Sequence, residues 1–308
     1  MNSFKITLSN LKKAFAGLNI IEPIMNNGRH KIPGSFFTLV FSEPDKLKVT
    51  YFGGSQILAV TVPIIDAKID LMVEIFLDTK TETMPIVSLN YETVGQILAI
   101  KDLAGRSKKK LQEVIEVAFD KDCMTIGGGS FVFCDNSFIP QVDKVYSLNT
   151  QEDKYLFETV VVDQDNFSQL LRLAMVNMDR QWLNPPNKRD KKQYGKYMFT
   201  FVLTKHCLPF YQVIVWNQYQ GEFVSLHDLT KAMISHKILG DDSLIFSYNP
   251  EYIYDVMEKF SCTRITWYKD TLVMQGDDFY YLQLRCQDGK NDTLDNIEKI
   301  EKYLLSKK

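Results

Sequence analysis

One pattern occurs four times along the 308 residues and constrains the fold more than any other feature. A residue able to cap a helix is followed four positions later by an apolar residue, and three positions after that by an apolar pair. The copies are Thr7…Leu11…Ala14-Phe15, Asn90…Val94…Ile97-Leu98, Asp163…Phe167…Leu170-Leu171 and Asn249…Ile253…Val256-Met257. Positions so spaced share one face of a helix, so each copy predicts an amphipathic helix whose start is marked by the capping side chain. Each copy follows a short strand-like run: Phe4–Ile6, Ile86–Leu89, Thr159–Val162 and Leu244–Tyr248. The starts are 83, 73 and 86 residues apart, a spacing suited to a repeated supersecondary module. Four similar modules make a scaffold more readily than an active-site cleft.

The residues after each helix supply the rest of the module. A first helix over Leu8–Leu18 precedes β runs at Phe36–Ser42, Lys46–Phe52 and Gln56–Val62, with a further strand expected in Ile69–Leu77. A second over Tyr91–Leu103 precedes Glu113–Phe119, Cys123–Ile126 and Ser130–Cys134. A third over Gln164–Met178 precedes Tyr197–Thr204, Phe210–Trp216 and Glu222–Val224. The fourth, Glu251–Phe260, precedes Thr263–Tyr268, Thr271–Gln275 and Phe279–Arg285, with Pro250 at the favoured first helical position. Turn residues separate the runs, among them Glu43-Pro44-Asp45, Asp120-Lys121-Asp122 and Gly276-Asp277-Asp278. The triplet Gly127–Gly129 reads as a hairpin turn. No Gly-Lys-Ser/Thr follows it and no helix opens there, so it is no phosphate loop.

The fold class is therefore α+β, with four β-α-β-β-β modules. One module cannot bury both sides of its sheet, whereas two paired pseudo-symmetrically can, with the helices on one face of antiparallel sheets. Modules one and two make a first domain, residues 1–138, and modules three and four a second, residues 155–290. Residues 139–154, polar and containing Pro140, form the connector. Residues 291–308 form a helical tail in which Leu294, Ile297, Ile300 and Leu304 make an apolar stripe.

Composition narrows the function. Apolar content of 45% and charged content of 24% are those of a globular chain. The longest apolar stretch, around Ile57–Ile65, is too short to span a bilayer, and Met1–Phe15 reads as strand and helix rather than a leader. The expected location is the cytoplasm, with no membrane partner. The five cysteines are scattered without a CxxC pair, and the four histidines form no ligand cluster. Reduced cysteines in cores are expected, without a metal or cofactor. Scattered carboxylates and the lack of a nucleophile–base spacing argue against an enzyme. The net charge is −2, yet the basic residues are gathered. Lys101–Lys110 has a local balance of +4 and Arg180–Lys196 one of +5.

The N-terminal Phe4-Lys5-Ile6-Thr7 followed by Leu11-Lys12-Lys13-Ala14-Phe15 resembles the opening strand and helix of bacterial DNA sliding clamps, the processivity rings of replicative polymerases. Phe246-Ser247-Tyr248-Asn249-Pro250-Glu251-Tyr252-Ile253-Tyr254-Asp255-Val256 is similar to that family's last helix entry, and Phe279-Tyr280-Tyr281-Leu282-Gln283-Leu284 to its final strand. The architecture corresponds over nearly all of residues 1–286. Bacterial clamps carry six modules in three domains and close with two chains. Four modules in two domains is the count of archaeal, eukaryotic and some phage clamps, which close as three-chain rings. The resemblance thus implies a homotrimer that encircles duplex DNA independently of sequence and tethers a polymerase.

In such clamps helices line the hole and hold basic residues toward phosphates, a sequence-independent contact. Carried onto this chain, the helix positions are Lys12, Lys13, Lys101 and Arg172. The adjoining loops add Arg106, Lys108, Lys109, Lys110, Arg180, Lys188, Arg189, Lys191, Lys192 and Lys196. Solvated surface charge explains either basic loop taken alone; their recurrence after equivalent helices favours the phosphate role. The fourth helix runs against it, with Glu251, Asp255 and Glu258 beside only Lys259. The resemblance also implies a greasy site for short peptide motifs of polymerase and clamp loader, beside the connector and last strand. By position this takes in Val142, Val145, Tyr146, Leu148, Trp216, Tyr219 and Leu284, residues that would serve equally to seal the domain junction. A clamp-fold protein-binding scaffold that does not encircle DNA is the alternative reading.

Overall fold

A computed structural model describes residues 2–20, 25–26, 30–31, 36–52, 56–77, 80–103, 107–134, 146–147, 150, 155–161, 164–182, 197–203, 211–217, 222–228, 232–238, 244–248, 250–268, 271–284, 302 and 306. The chain divides into two compact units: Met1–Leu148 with Asp278–Leu282, and Asn149–Asp277 with Gln283–Lys308.

In the first unit β1 (Asn2–Thr7) leads into α1 (Leu8–Ala14) and α2 (Gly17–Ile20). The small pair β2 (Met25–Asn26) and β3 (His30–Lys31) comes next, then the meander β4 (Phe36–Glu43), β5 (Lys46–Phe52) and β6 (Gln56–Pro63). β7 (Ile65–Lys68) and the hairpin β8 (Val73–Leu77) and β9 (Lys80–Met84) complete the first module. The second module opens with β10 (Ile86–Asn90) and α3 (Tyr91–Ala99), followed by a 3-10 turn at Lys101–Leu103 and α4 (Lys108–Leu111). It ends with β11 (Val114–Phe119), β12 (Cys123–Ile126) and β13 (Gly129–Val132).

The capping side chains do what their positions predict. Thr7 Oγ1 accepts from the Asn10 N–H at 3.2 Å, and Asn90 Oδ1 from the Thr93 N–H at 2.7 Å, satisfying N–H groups that lack a partner within the helix. Leu11, Ala14 and Phe15 are buried, as are Val94 and Ile97, while Leu98 is half-buried. The first helix is shorter than expected. It stops at Ala14, turns through Phe15 and Ala16, and resumes at Gly17. Phe15 packs edge-on against Phe37 at 5.6 Å, and Gly17 lies so close that a Cβ there would sit 3.3 Å from Phe37 and Tyr51. α3 likewise ends at Ala99 rather than Leu103 because Ile100 leaves helical geometry with ψ 128°.

The sheets are built by exchange. β1, from module one, pairs antiparallel with β11 of module two in the order β13-β12-β11-β1-β7. β10, from module two, pairs antiparallel with β4 in the order β10-β4-β5-β6. Each module therefore supplies the leading strand of the other's meander. Phe4 on β1 and Phe119 on β11 meet Phe41 on β4 at 5.6 and 5.2 Å, so one aromatic cluster joins the two sheets. α1 lies against β5 and β6, and α3 against β4 and β10. The glycine turn is a two-residue hairpin, with Gly127 and Gly128 at φ 55° and 78° and Ile126 opposite Gly129, the geometry that glycine adopts without strain. Along β6, the Thr61 N–H donates to the Asp278 carbonyl at 2.8 Å, and Gln56 Nε2 to Tyr281 Oη at 3.2 Å.

The second unit repeats the plan. β14 (Tyr155–Val161) and α5 (Gln164–Trp182) precede β15 (Tyr197–Leu203), β16 (Tyr211–Asn217), β17 (Glu222–Asp228) and β18 (Met233–Ile238). β19 (Leu244–Tyr248) and α6 (Pro250–Lys259) precede β20 (Arg264–Tyr268), β21 (Thr271–Gln275) and β22 (Phe279–Leu284). β14 pairs with β20 and β18, and β19 with β15, so the leading strands again change places. Phe167 and Leu171 on α5 and Ile253, Val256 and Met257 on α6 are buried, with Leu170 half-buried. The cap positions Asp163 and Asn249 lie outside the described residues. So does most of the expected tail helix, including Leu294, Ile297, Ile300 and Leu304; its Lys302 and Ser306 are helical and exposed.

The architecture is the expected α+β class, antiparallel throughout the described strand pairs, with helices laid on the sheets.

Candidate nucleic-acid interface

Each unit sets two helices end to start. In the second, Gln164 at the first position of α5 donates from Nε2 to the carbonyls of Met257 and Phe260, at 2.7 and 2.9 Å. It thereby satisfies acceptors that α6 leaves open at its end. In the first, the Tyr91 hydroxyl at the start of α3 donates to the Leu18 carbonyl at 2.6 Å. These cross-helix bonds carry no sequence signature, since the donors differ in type, and the sequence reading missed them.

The basic residues distribute unevenly over these helices. Lys12 and Lys13 lie in the last turn of α1, where cations interact favourably with the negative end of the helix dipole, and both are half-buried. Lys13 is ion-paired with Asp278. Lys108 and Lys109 are exposed on the short α4, which Ser107 caps by accepting from the Lys110 N–H at 3.2 Å. Lys110 pairs with Glu113. α4 neighbours α1, and the Leu8 N–H donates to the Glu113 carbonyl at 2.9 Å. Two groups of lysines about a hundred residues apart in sequence are thus gathered beside one helix. Lys101 is exposed on the 3-10 turn after α3. Arg172 is exposed on α5; Arg180 is on the same helix, and its side chain lies outside the described set. Arg106, Lys188, Arg189, Lys191, Lys192 and Lys196 also lie outside the described residues.

The acidic fourth helix turns part of its charge aside. Asp255 is half-buried, and burial pushes its carboxyl above the usual carboxylate range, with Lys259 opposing and Glu258 adding to the rise. Glu258 is exposed and accepts from the Tyr254 hydroxyl at 2.8 Å. That bond raises the Tyr254 hydroxyl, and the charge of Arg172 on α5 works against the rise. Among the described residues, basic Arg172 and Lys259 and acidic Asp165 and Glu258 are exposed on this helix pair.

Of the expected peptide site, Tyr146 meets Tyr280 of β22 with ring centroids 4.3 Å apart and the rings tilted by 42°, and the Lys48 ammonium lies 5.6 Å from the Tyr280 centroid. Lys48 was not singled out from sequence. It stands opposite Thr61 across β5 and β6 and is half-buried. Leu284 is half-exposed at the end of β22. Trp216 lies on β16 opposite Met198 and Phe223. Val142, Val145, Leu148 and Tyr219 are outside the described residues. The thiol of Cys262 is pushed up to about 12 by burial, which makes it an inert core group.

Two strand-exchanged units, each with helices on antiparallel sheets, define the fold. Among solved structures it is that of the DNA sliding clamps. The DNA polymerase beta subunit of Streptococcus pyogenes matches with a TM-score of 0.60 at 13% identity, over 93% of this chain and 66% of that one. The sliding clamp of Caulobacter crescentus matches with a TM-score of 0.58 at 10% identity, over 92% and 65%. The DNA polymerase III beta subunit of Thermotoga maritima matches with a TM-score of 0.58 at 12% identity, over 93% and 66%. The chain spans about two thirds of the length of the solved structures it matches. No family model matches the sequence, and no curated protein does.

Proposed function

We propose that this protein is a DNA polymerase sliding clamp: a non-enzymatic ring that encircles duplex DNA in the cytoplasm and tethers a polymerase for processive synthesis. The observation that carries the reading is the match of 92–93% of the chain to solved clamps despite 10–13% identity. Conservation of topology without conservation of side chains fits a topological mechanism, in which enclosure rather than a reactive group does the work. The domains are residues 1–138 and 155–290 with a connector at 139–154; the division of the chain after Leu148 falls inside that connector. Three copies close the ring. The matched share of about two thirds of each neighbour supports that count, because it corresponds to two domains out of three.

The duplex-facing set comprises Lys12, Lys101, Lys108 and Lys109 of the first unit and Arg172 of the second, with Arg106, Arg180 and the basic residues of 188–196 completing it. These cations neutralise phosphates and read no bases. Polymerase and clamp loader dock through short peptide motifs beside Tyr146 and its ring partner Tyr280 in the first unit. After loading onto a nicked circular duplex, the protein should stay bound through gel filtration, and it should run off once the circle is cut. Equal retention on both substrates would show surface binding instead.

A second reading, a clamp-fold scaffold that binds proteins without encircling DNA, is favoured by two observations: exposed Glu258 on α6 and the pairing of Lys13 with Asp278 both reduce the positive charge that the helices offer.

A further inference from the structure

Lys13 occupies a position where clamp-like architecture calls for a phosphate contact, yet its ammonium already holds the Asp278 carboxylate, 265 residues away in sequence. Both partners are held by backbone. The Asp278 carbonyl accepts from the Thr61 N–H at 2.8 Å, which fixes the start of β22 beside β6. α1 packs on the same strand, and its buried Leu11 and Ala14 prevent the helix from rotating Lys13 elsewhere. The two side chains remain 36% and 42% exposed, so a phosphate oxygen can reach the ammonium that the carboxylate now occupies. A pair this exposed contributes little to stability. Its larger effect is on what Lys13 can bind, because carboxylate and phosphate compete for the same charge-assisted hydrogen bond. Asp277, exposed in the same turn, adds negative charge beside it.

We propose that Asp278 is an intramolecular competitor for DNA phosphate at Lys13, so that α1 grips the duplex through fewer phosphates than its charge permits. The proposal rests on the reading of the protein as a clamp whose first-unit lysines face the duplex. A protein that must travel along DNA is served by contacts that are few and easily exchanged, and removing one carboxylate restores one contact.

The test is the binding of the full chain to a fluorescent duplex, followed by anisotropy as KCl is raised from about 50 to about 200 mM. Asp278→Asn, or Asp278→Ser should the first not fold, should steepen the dependence of log affinity on log salt by about 0.9, the increment for one added phosphate. Lys13→Met alone should leave the slope unchanged, and Lys13→Met combined with Asp278→Asn should return it to the parent value. Lys108→Glu with Lys109→Glu provides the control. If that control flattens the slope while Asp278→Asn leaves it as it was, the DNA reading stands and the competitor role is overturned. A flatter slope from Lys13→Met alone also overturns it, since Lys13 would already be contacting phosphate. If no variant changes the slope, the DNA reading fails and takes this inference with it.

Discussion

The turn between β11 and β12 depends on one carboxylate. Asp120 Oδ1 accepts from the N–H groups of Asp122 and Cys123 at 2.7 and 2.8 Å, and these bonds hold the Asp120 carboxyl below the usual carboxylate range. A folded-state value below the unfolded one means stability that is fully present above the unfolded value of about 3.9 and is lost as pH falls through the folded value. Asp120→Asn keeps an acceptor but loses the charge. Its stability deficit in urea should therefore be constant near neutral pH and shrink as the pH drops below about 4. A deficit that is independent of pH would show that the carboxylate charge plays no part in the turn. At the same scale, Gly127 and Gly128 tolerate their positive φ only because they carry no side chain. This is why the triplet was legible as a turn from sequence, whereas the Asp120 bonds needed the geometry.

Exchange of leading strands decides how the elements cohere. Phe4 on β1 is 2% exposed and touches Phe41 and Phe119, the only described phenylalanines joined to it as ring pairs. Truncation of such a side chain leaves a cavity, and Phe4→Ala should cost about 3–5 kcal/mol in denaturant unfolding. A loss under about 1 kcal/mol would mean that the two sheets do not depend on that cluster. The helices and most strands were legible because their apolar residues recur with period 3.6 or 2 and their ends carry Thr7, Asn90, Pro250 or glycine. β18 was missed because Met233-Ile234-Ser235-His236-Lys237-Ile238 does not alternate. The exchange itself was illegible: each leading strand reads the same whether it pairs with its own meander or its neighbour's, and only tertiary packing chooses. For the candidate interface, the lysines were legible as patches, but the carboxylate facing Lys13 was not. Glu113, three residues from Lys110, lay within reach of a spacing argument, whereas Asp278 is 265 residues from Lys13 and only the fold brings the two together.

At the scale of the whole molecule, the proposed ring makes a statement about number. Light scattering on the purified protein should give a mass of about three chains, with dissociation on dilution following a cooperative three-body law. A particle that stays a monomer at every concentration would remove the closed ring and leave the scaffold reading. The uneven charge of the helices bears on the proposed assembly, since three copies would repeat each basic and each acidic surface three times. The first unit also has a consequence for biosynthesis. Asp278–Leu282 belongs to it, so the ribosome must deliver the whole of the second unit's Asn149–Asp277 before the place beside β6 is filled. Until then β6 is an unprotected sheet edge on a nascent polypeptide, open to pairing with a neighbouring chain. Prematurely terminated products ending before Asp278 would keep that edge for good, which makes translation past β22 a condition of solubility as much as of length.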